Sequence, residues 1–263
     1  ARSLARGRTA MIAFVAPGAA DTLLGDPAAA LVARGVLSAC DRAGYALVLT
    51  AQARDEAVDG QVFLNDVPDR DPRVPAVVVD GRADGVDAVV ADTSGAGEAA
   101  MAYLRQLGHR DVAVLAWPGA GDRLEGATRA WRGATPLSVY EGPGDRRPGE
   151  QTGDALVRAA MAGDRRPTAL LALNDTLALS ALQTLAWMGV AVPGDVSVMG
   201  IDDVPAASGA GLSTVMVPYR PMGERAVDVL LARREGAVPA GSPPLPTVLV
   251  PRRSTGPPGS GRR

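Results

Sequence analysis

A chain of 263 residues with 47% hydrophobic and 21% charged residues can bury a sizeable core, as one large domain or as two of ordinary size. Its formal net charge of -2 supplies no basic excess for holding a phosphate backbone by itself, so any contact with DNA must lie mostly elsewhere. One cysteine, Cys40, and one histidine, His109, exclude an intrachain disulfide and a His/Cys cluster for a transition metal, and leave no nucleophilic triad centred away from His109.

The chain opens on a basic stretch, residues 1–8, and no apolar run of signal-peptide or membrane-span length follows it. Neither export nor membrane anchoring is therefore expected, and the lone cysteine suits a reducing cytoplasm. Residues 9–16 read as a buried strand and 27–43 as a helix. Further strands are expected at 45–50, 61–64, 76–80, 88–92, 112–116, 137–140, 169–173 and 196–200, with helices at 95–107, 150–162 and 175–188. Apolar runs buried on both faces and separated by helices imply mostly parallel sheets joined by right-handed crossovers. So many units exceed one comfortable open sheet and point to two lobes facing each other across a cleft.

Ligands of open parallel sheets sit beyond the carboxyl ends of the strands. The polar residues at those ends are Asp92, the pair Asn174 and Asp175, and the pair Asp202 and Asp203. Either member of the 174–175 pair could cap the following helix, and Asn174 could equally face a ligand. Gly189 and then Pro193 mark that helix's end. Asp202 and Asp203 could in principle support acid/base chemistry, but neighbours on a strand point to opposite faces. No phosphate-binding glycine loop follows the first strand. His109, between a helix and a strand, reads as a structural turn residue. Beyond Ser254 the chain has little to pack, and 257–263 are expected to fray.

Residues 169–205, ALLALNDTLALSALQTLAWMGVAVPGDVSVMGIDDVP, followed by STVMVPYRPMGERAVDVLL, RAGYALVLTA, VDGQVFL, LGHRDVAVLAWP and the terminal PTVLVPRRSTGPP, together resemble the LacI/GalR family of bacterial transcriptional regulators over nearly the whole chain. The resemblance implies an α/β, two-lobed, periplasmic-binding-protein-like fold, each lobe a mostly parallel sheet flanked by helices. Residues 1–8 would be a hinge remnant, 9–109 with 214–240 the N-terminal lobe, 110–213 with 241–256 the C-terminal lobe, and 257–263 a disordered tail.

What the resemblance implies for function is a non-enzymatic regulator core, most simply a repressor. It would bind a small polar effector, a sugar, between its lobes, dimerise through the lobe faces, and couple effector binding to operator DNA through a helix-turn-helix headpiece missing from this chain. No cofactor, metal or membrane partner is implied. The family's effector contacts fall on Asp92, Arg123, Asn174 and Asp202, a set suited to a polyhydroxylated ligand because carboxylates accept from hydroxyls while guanidinium donates in a fixed fork. Their bland readings are helix caps or turns for the aspartates and a solvated helix face for Arg123. Leu4 matches the hinge leucine that wedges into the DNA minor groove. Two departures stand out: residues 45–80 leave little room for the two helices expected around VDGQVFL, and Gly142 to Asp145 follow LSVYE where the family often has an aromatic residue. The alternative is a periplasmic-type solute-binding protein for sugar uptake, which shares the fold.

Overall fold

The computed structural model describes residues 9–16, 25–54, 57–133, 136–142, 150–163, 165–237 and 243–259. The chain divides into two compact units, one of residues 1–91 with 218–246 and one of residues 92–217 with 247–263.

In unit 1, five parallel strands, β1 (Met11–Val15), β2 (Ala46–Thr50), β3 (Gly60–Leu64), β4 (Ala76–Val79) and β5 (Asp87–Val89), lie in the order β2-β1-β3-β4-β5. Helix α1 (Pro27–Ala43) starts where the Asp26 carboxylate accepts the Ala28 N–H and Pro27 supplies a preset first turn. It stops at Gly44, whose φ of 75° is the left-handed conformation that glycine adopts at least cost. Its partner is the helix Tyr219–Arg234. The two approach so closely that a Cβ on Gly35 would lie 2.1 Å from the Arg220 carbonyl oxygen, and one on Gly223 would lie 2.2 Å from that of Val32.

The opposite face of this sheet is closed by loops. Ala13, Val15, Phe63 and Val78 project from it, and Val58, Val67, Val74 and Val86 from the connecting segments pack on them. Residues 65–75 cross from β3 to β4 without a helix, and no helix lies among the described residues of 51–59. Among the described residues of 45–80 neither of the two expected helices is present, and apolar loops stand in their place.

In unit 2, β6 (Val112–Ala116), β7 (Ser138–Glu141), β8 (Ala169–Ala172) and β9 (Ser197–Met199) form a parallel sheet in the order β7-β6-β8-β9. An antiparallel ribbon of β10 (Thr214–Met216) and β11 (Val248–Val250) joins through single bridges from Met199 to Ser213 and from Asp202 to Met216. Helices α2 (Thr93–Gln106), α3 (Gly121–Ala130), α4 (Glu150–Ala162), α5 (Asp175–Trp187) and α6 (Pro205–Ala210) belong to this unit, so that Tyr219–Arg234 of unit 1 is α7.

The lobe boundary expected at 109/110 falls instead at 91/92. Helix α2 packs on α3, with positions for a Cβ on Gly97 and Gly126 only 2.0 and 1.9 Å from the carbonyl oxygens of Arg123 and Ser94, and β10 pairs within unit 2 rather than with the first sheet.

The end of the chain is better held than its composition suggests. His109 Nε2 lies 2.9 Å from the Gly256 carbonyl oxygen and 3.1 Å from Ser197 Oγ, while Nδ1 lies 2.9 Å from Thr168 Oγ1. A carbonyl only accepts, so Nε2 donates to Gly256, while the Thr168 hydroxyl beside Nδ1 also lies 3.1 Å from the Asp111 carbonyl oxygen. Gly256 N–H donates to Ser197 Oγ, and Pro258 lies against Gly108. Residues 257–259 of the expected frayed tail are thus ordered against unit 2; 260–263 lie outside the described residues. Among the described residues no helix is long and apolar enough to cross a membrane.

Candidate functional site

The order β7-β6-β8-β9 reverses direction between β6 and β8, since the chain leaves β6 toward β7 and then crosses to the other side. The carboxyl end of the sheet at such a switch point is where parallel folds receive ligands. In unit 2 three elements converge there: Trp117 directly after β6, Arg123 on α3, and Asn174 after β8.

Arg123 is buried, not solvated as a helix-face reading would have it. Its Nη1 donates to the Leu173 carbonyl oxygen at 2.6 Å, and its Nη2 pairs with Asp202 Oδ1 at 2.9 Å. Both side chains of that pair are about 95% removed from solvent, at 5% and 4% exposure. The Trp117 ring centroid lies 5.8 Å from the guanidinium carbon, within range of a cation–π contact. Such a pair persists only when its desolvation is offset by good geometry, and here a carbonyl, a carboxylate and an aromatic ring surround one cation.

Asn174 takes the capping role that sequence left open. Its Oδ1 accepts the Leu177 N–H at 2.7 Å and so starts α5. Its carboxamide NH₂ makes no hydrogen bond among the described residues, so the ligand-facing role remains compatible with the cap. Asp92 caps α2 through a 2.8 Å bond from the Gly95 N–H. It is exposed, and its charge acts on the exposed Arg129, as the last and smallest of the influences that raise that guanidinium's pKa after the Glu98 hydrogen bond. The structure therefore brings Arg123, Asn174 and Asp202 together and leaves Asp92 in its capping role. Leu4 lies outside the described residues.

Asp202 and Asp203 do diverge, although through an irregular backbone and not a strand. Their φ values are 136° and 58°, outside the usual range for non-glycine residues. Asp202 turns to Arg123, while Asp203 Oδ1 accepts from Arg252 Nη2 at 2.7 Å.

What holds this loop is Asp175, a residue the sequence offered only as a cap. It is fully buried; its carboxylate accepts the Val204 N–H at 2.9 Å and the Thr214 hydroxyl at 2.7 Å. Burial, and then the neighbouring Asp202 carboxylate, push its pKa up to about 7. Gly200 is required beside it, because a Cβ there would lie 2.2 Å from Asp175 Oδ1. The signal available in sequence was the Gly-Ile-Asp-Asp run, but the reach from residue 175 across to 204 and 214 is tertiary. Trp117 was likewise not singled out. Among the described residues no group of three His, Cys, Asp or Glu side chains could hold a metal ion.

Comparison with known proteins identifies the family. The periplasmic binding protein-like domain family matches residues 101–255. An HTH-type transcriptional regulator of Mycobacterium tuberculosis is 31% identical over 302 aligned positions, covering 98% of this chain and 84% of the relative. That alignment is longer than the chain itself, so the relative carries segments this chain lacks. The HTH-type transcriptional repressor PurR of Vibrio cholerae is 32% identical over 76% of this chain and 68% of its own length. Among solved structures, the transcriptional regulator CelR in complex with cellobiose superposes with a TM-score of 0.78 at 27% identity, over 94% of this chain and 85% of that one. This chain belongs to the LacI/GalR family of transcriptional regulators and forms that family's periplasmic-binding-protein-like effector-binding core.

Proposed function

We propose that this core serves a transcriptional repressor, that it binds a sugar at the carboxyl edge of the unit 2 sheet, and that it acts as a homodimer coupled to operator DNA through a helix-turn-helix domain. The observation that carries the reading is the buried Arg123–Asp202 pair beside Asn174 at the switch point of the sheet. A charge pair stripped of solvent is a poor source of stability compared with apolar packing; its place at a ligand-receiving edge gives it another use. Carboxylate, guanidinium and carboxamide together supply the acceptors and donors that a polyhydroxylated ligand requires. The CelR–cellobiose complex and the repressor among the relatives support the same direction. Coupling follows from linkage: a sugar that weakens operator binding is itself bound more weakly on the operator.

The test is a thermal-shift series with sugars, sugar phosphates, polyols and nucleosides, run beside Asn174→Asp. That variant keeps the oxygen that caps α5 and removes the NH₂ donor. A ligand at about a hundred times its Kd adds roughly 2.7 kcal/mol of stability. A sugar-selective shift that is diminished in Asn174→Asp supports the site; no shift with any sugar overturns it.

A further inference from the structure

Trp117 sits at the meeting point of three strand ends. The parallel register pairs Leu115 with Ala172, so two residues on Trp117 stands level with Asn174; on its other side Ala116 pairs with Glu141, which sets Gly142 next to Trp117. The residue is only 4% exposed, and its ring lies against Arg123. Yet its indole N–H has no hydrogen-bond partner among the described residues. No fully buried side-chain nitrogen or oxygen among those residues lacks a partner, so this N–H, like the Asn174 NH₂, must lie in the small part of the side chain that reaches solvent. A nearly buried tryptophan ordinarily pairs its N–H. Two unpaired donors thus belong to residues on adjacent strand ends, whose backbones lie roughly 4.8 Å apart, at an otherwise satisfied edge.

Charge defines the ligand further. Arg123 is balanced by Asp202 at 2.9 Å, and the second carboxylate, Asp175, lies behind it. Arg252, which reaches this loop from the segment after β11, is engaged by Asp203. The edge therefore presents donors without an excess of positive charge, which suits neutral oxygen acceptors and disfavours a phosphate.

Resting on the sugar reading above, we infer that Trp117 is a ligand-contacting, specificity-determining residue whose indole N–H, beside the Asn174 carboxamide, donates to oxygens of an uncharged sugar, and that phosphorylated sugars are rejected.

The experiment follows the indole N–H resonances of the ¹⁵N-labelled protein during titration with glucose, ribose and cellobiose, and with glucose 6-phosphate and ribose 5-phosphate. The three tryptophans, Trp117, Trp131 and Trp187, are assigned by Trp131→Phe and Trp187→Phe, so the readout does not depend on a Trp117 variant folding. The Trp117 N–H should shift and exchange more slowly with water when a neutral sugar binds. Trp117→Phe should weaken that sugar about fivefold, the worth of one ordinary hydrogen bond, and Trp117→Leu more. A sugar that binds while the Trp117 N–H keeps its exchange rate, and that binds Trp117→Phe unchanged, overturns the role of Trp117 and leaves the sugar reading intact. Binding by the phosphates alone overturns the neutral-ligand inference. Silence from every sugar in the parent protein overturns the reading on which it rests.

Discussion

The two units share a construction, a parallel sheet with crossovers, and differ in what they bury. In unit 1 the buried polar residues among those described are Thr50 and Gln61, neither of them charged. In unit 2 they include Arg123, Asp175 and Asp202, together with His109, Asn174 and a set of serine and threonine hydroxyls. Burying polar groups carries a cost that hydrogen bonds only partly offset. Unit 1 needs fewer of them: among the described residues one face of its sheet is closed without a helix, by valines, alanines and Phe63, and the buried carboxylate of its half-buried Asp59 is paired with the partly exposed Arg234. The larger polar network of unit 2 serves its loops, where Asp175 and Arg252 hold the 202–204 turn.

The largest expected effect lies in that network. Arg123→Ala leaves the Asp202 carboxylate buried without its cation and should cost about 3–5 kcal/mol of stability, measured by urea denaturation. A surface-like loss below about 1 kcal/mol would show that the pair is not desolvated in solution. The double variant Arg123→Met with Asp202→Leu removes both charges and should recover most of the loss. This differs from what a solvated Arg123 implies, namely lost binding with an intact fold, and follows from its 5% side-chain exposure.

The next effect is shared by both units and tests whether their apolar packing is equally tight. Gly35→Ala in unit 1 and Gly97→Ala in unit 2 each place a methyl about 2 Å from a backbone oxygen of the facing helix. Neither carbonyl can swing aside as a side chain could, so the helices must part, at about 1–3 kcal/mol each. If Gly35→Ala proved neutral while Gly97→Ala did not, the loop-covered unit would be the more plastic of the two.

How much of this was legible beforehand follows from which forces are local. The strand–helix alternation was readable, and α1 and α4 begin and end where periodicity places them, for α1 because Asp26, Pro27 and Gly44 act on their own turn. The ribbon of β10 and β11 was not, since its antiparallel pairing joins segments far apart in the chain, Thr214 to Val250. Helix α7 escaped because its own apolar periodicity is weak and its glycine contact with α1 is tertiary. At the candidate site, Asn174 and Asp202 stood out as polar residues at strand ends, and Arg123 came from family resemblance alone. The burial of Arg123, the bracing by Asp175 and the position of Trp117 between Gly142 and Asn174 depend on strand order, which no local window contains. The 257–259 tail looked unpackable by composition, yet it is ordered by the chain it abuts, through His109 and Ser197.

Smaller effects come from titration of two buried groups in unit 2. Burial lowers the His109 pKa from its ordinary 6.5, with the Gly256 carbonyl partly opposing. The unfolded chain then binds the proton more readily, so the stability contributed by neutral His109 is full above pH 6.5 and is lost as pH falls through the folded value. Asp175 acts in the opposite sense: its folded pKa of about 7 exceeds the ordinary 3.8, so its contribution is greatest below pH 3.8 and declines as pH rises toward 7. Each changes stability by at most about 1.4 kcal/mol per pH unit. Asp175→Asn should remove the alkaline-side decline, because Thr214 can accept from the amide while the Val204 N–H keeps its oxygen. An unchanged slope of stability between pH 5 and 8 would show that Asp175 is ionised throughout.

The smallest effect sharpens the contrast by holding chemistry constant. Arg233 Nη2 donates to Asp87 Oδ1 at 2.9 Å in unit 1, and Arg129 Nη2 pairs with Glu98 at the same distance in unit 2, each as short as the Arg123–Asp202 contact. Their arginine side chains, however, are 40% and 48% exposed. Water and salt screen such pairs, and two long side chains lose freedom to form them. Arg233→Met and Arg129→Met should therefore leave the urea midpoint at physiological salt unchanged, with a difference emerging only at low ionic strength. If either lowered the midpoint as Arg123→Ala does, distance and not desolvation would set the worth of these pairs. The polar burial of unit 2 would then lose its special standing.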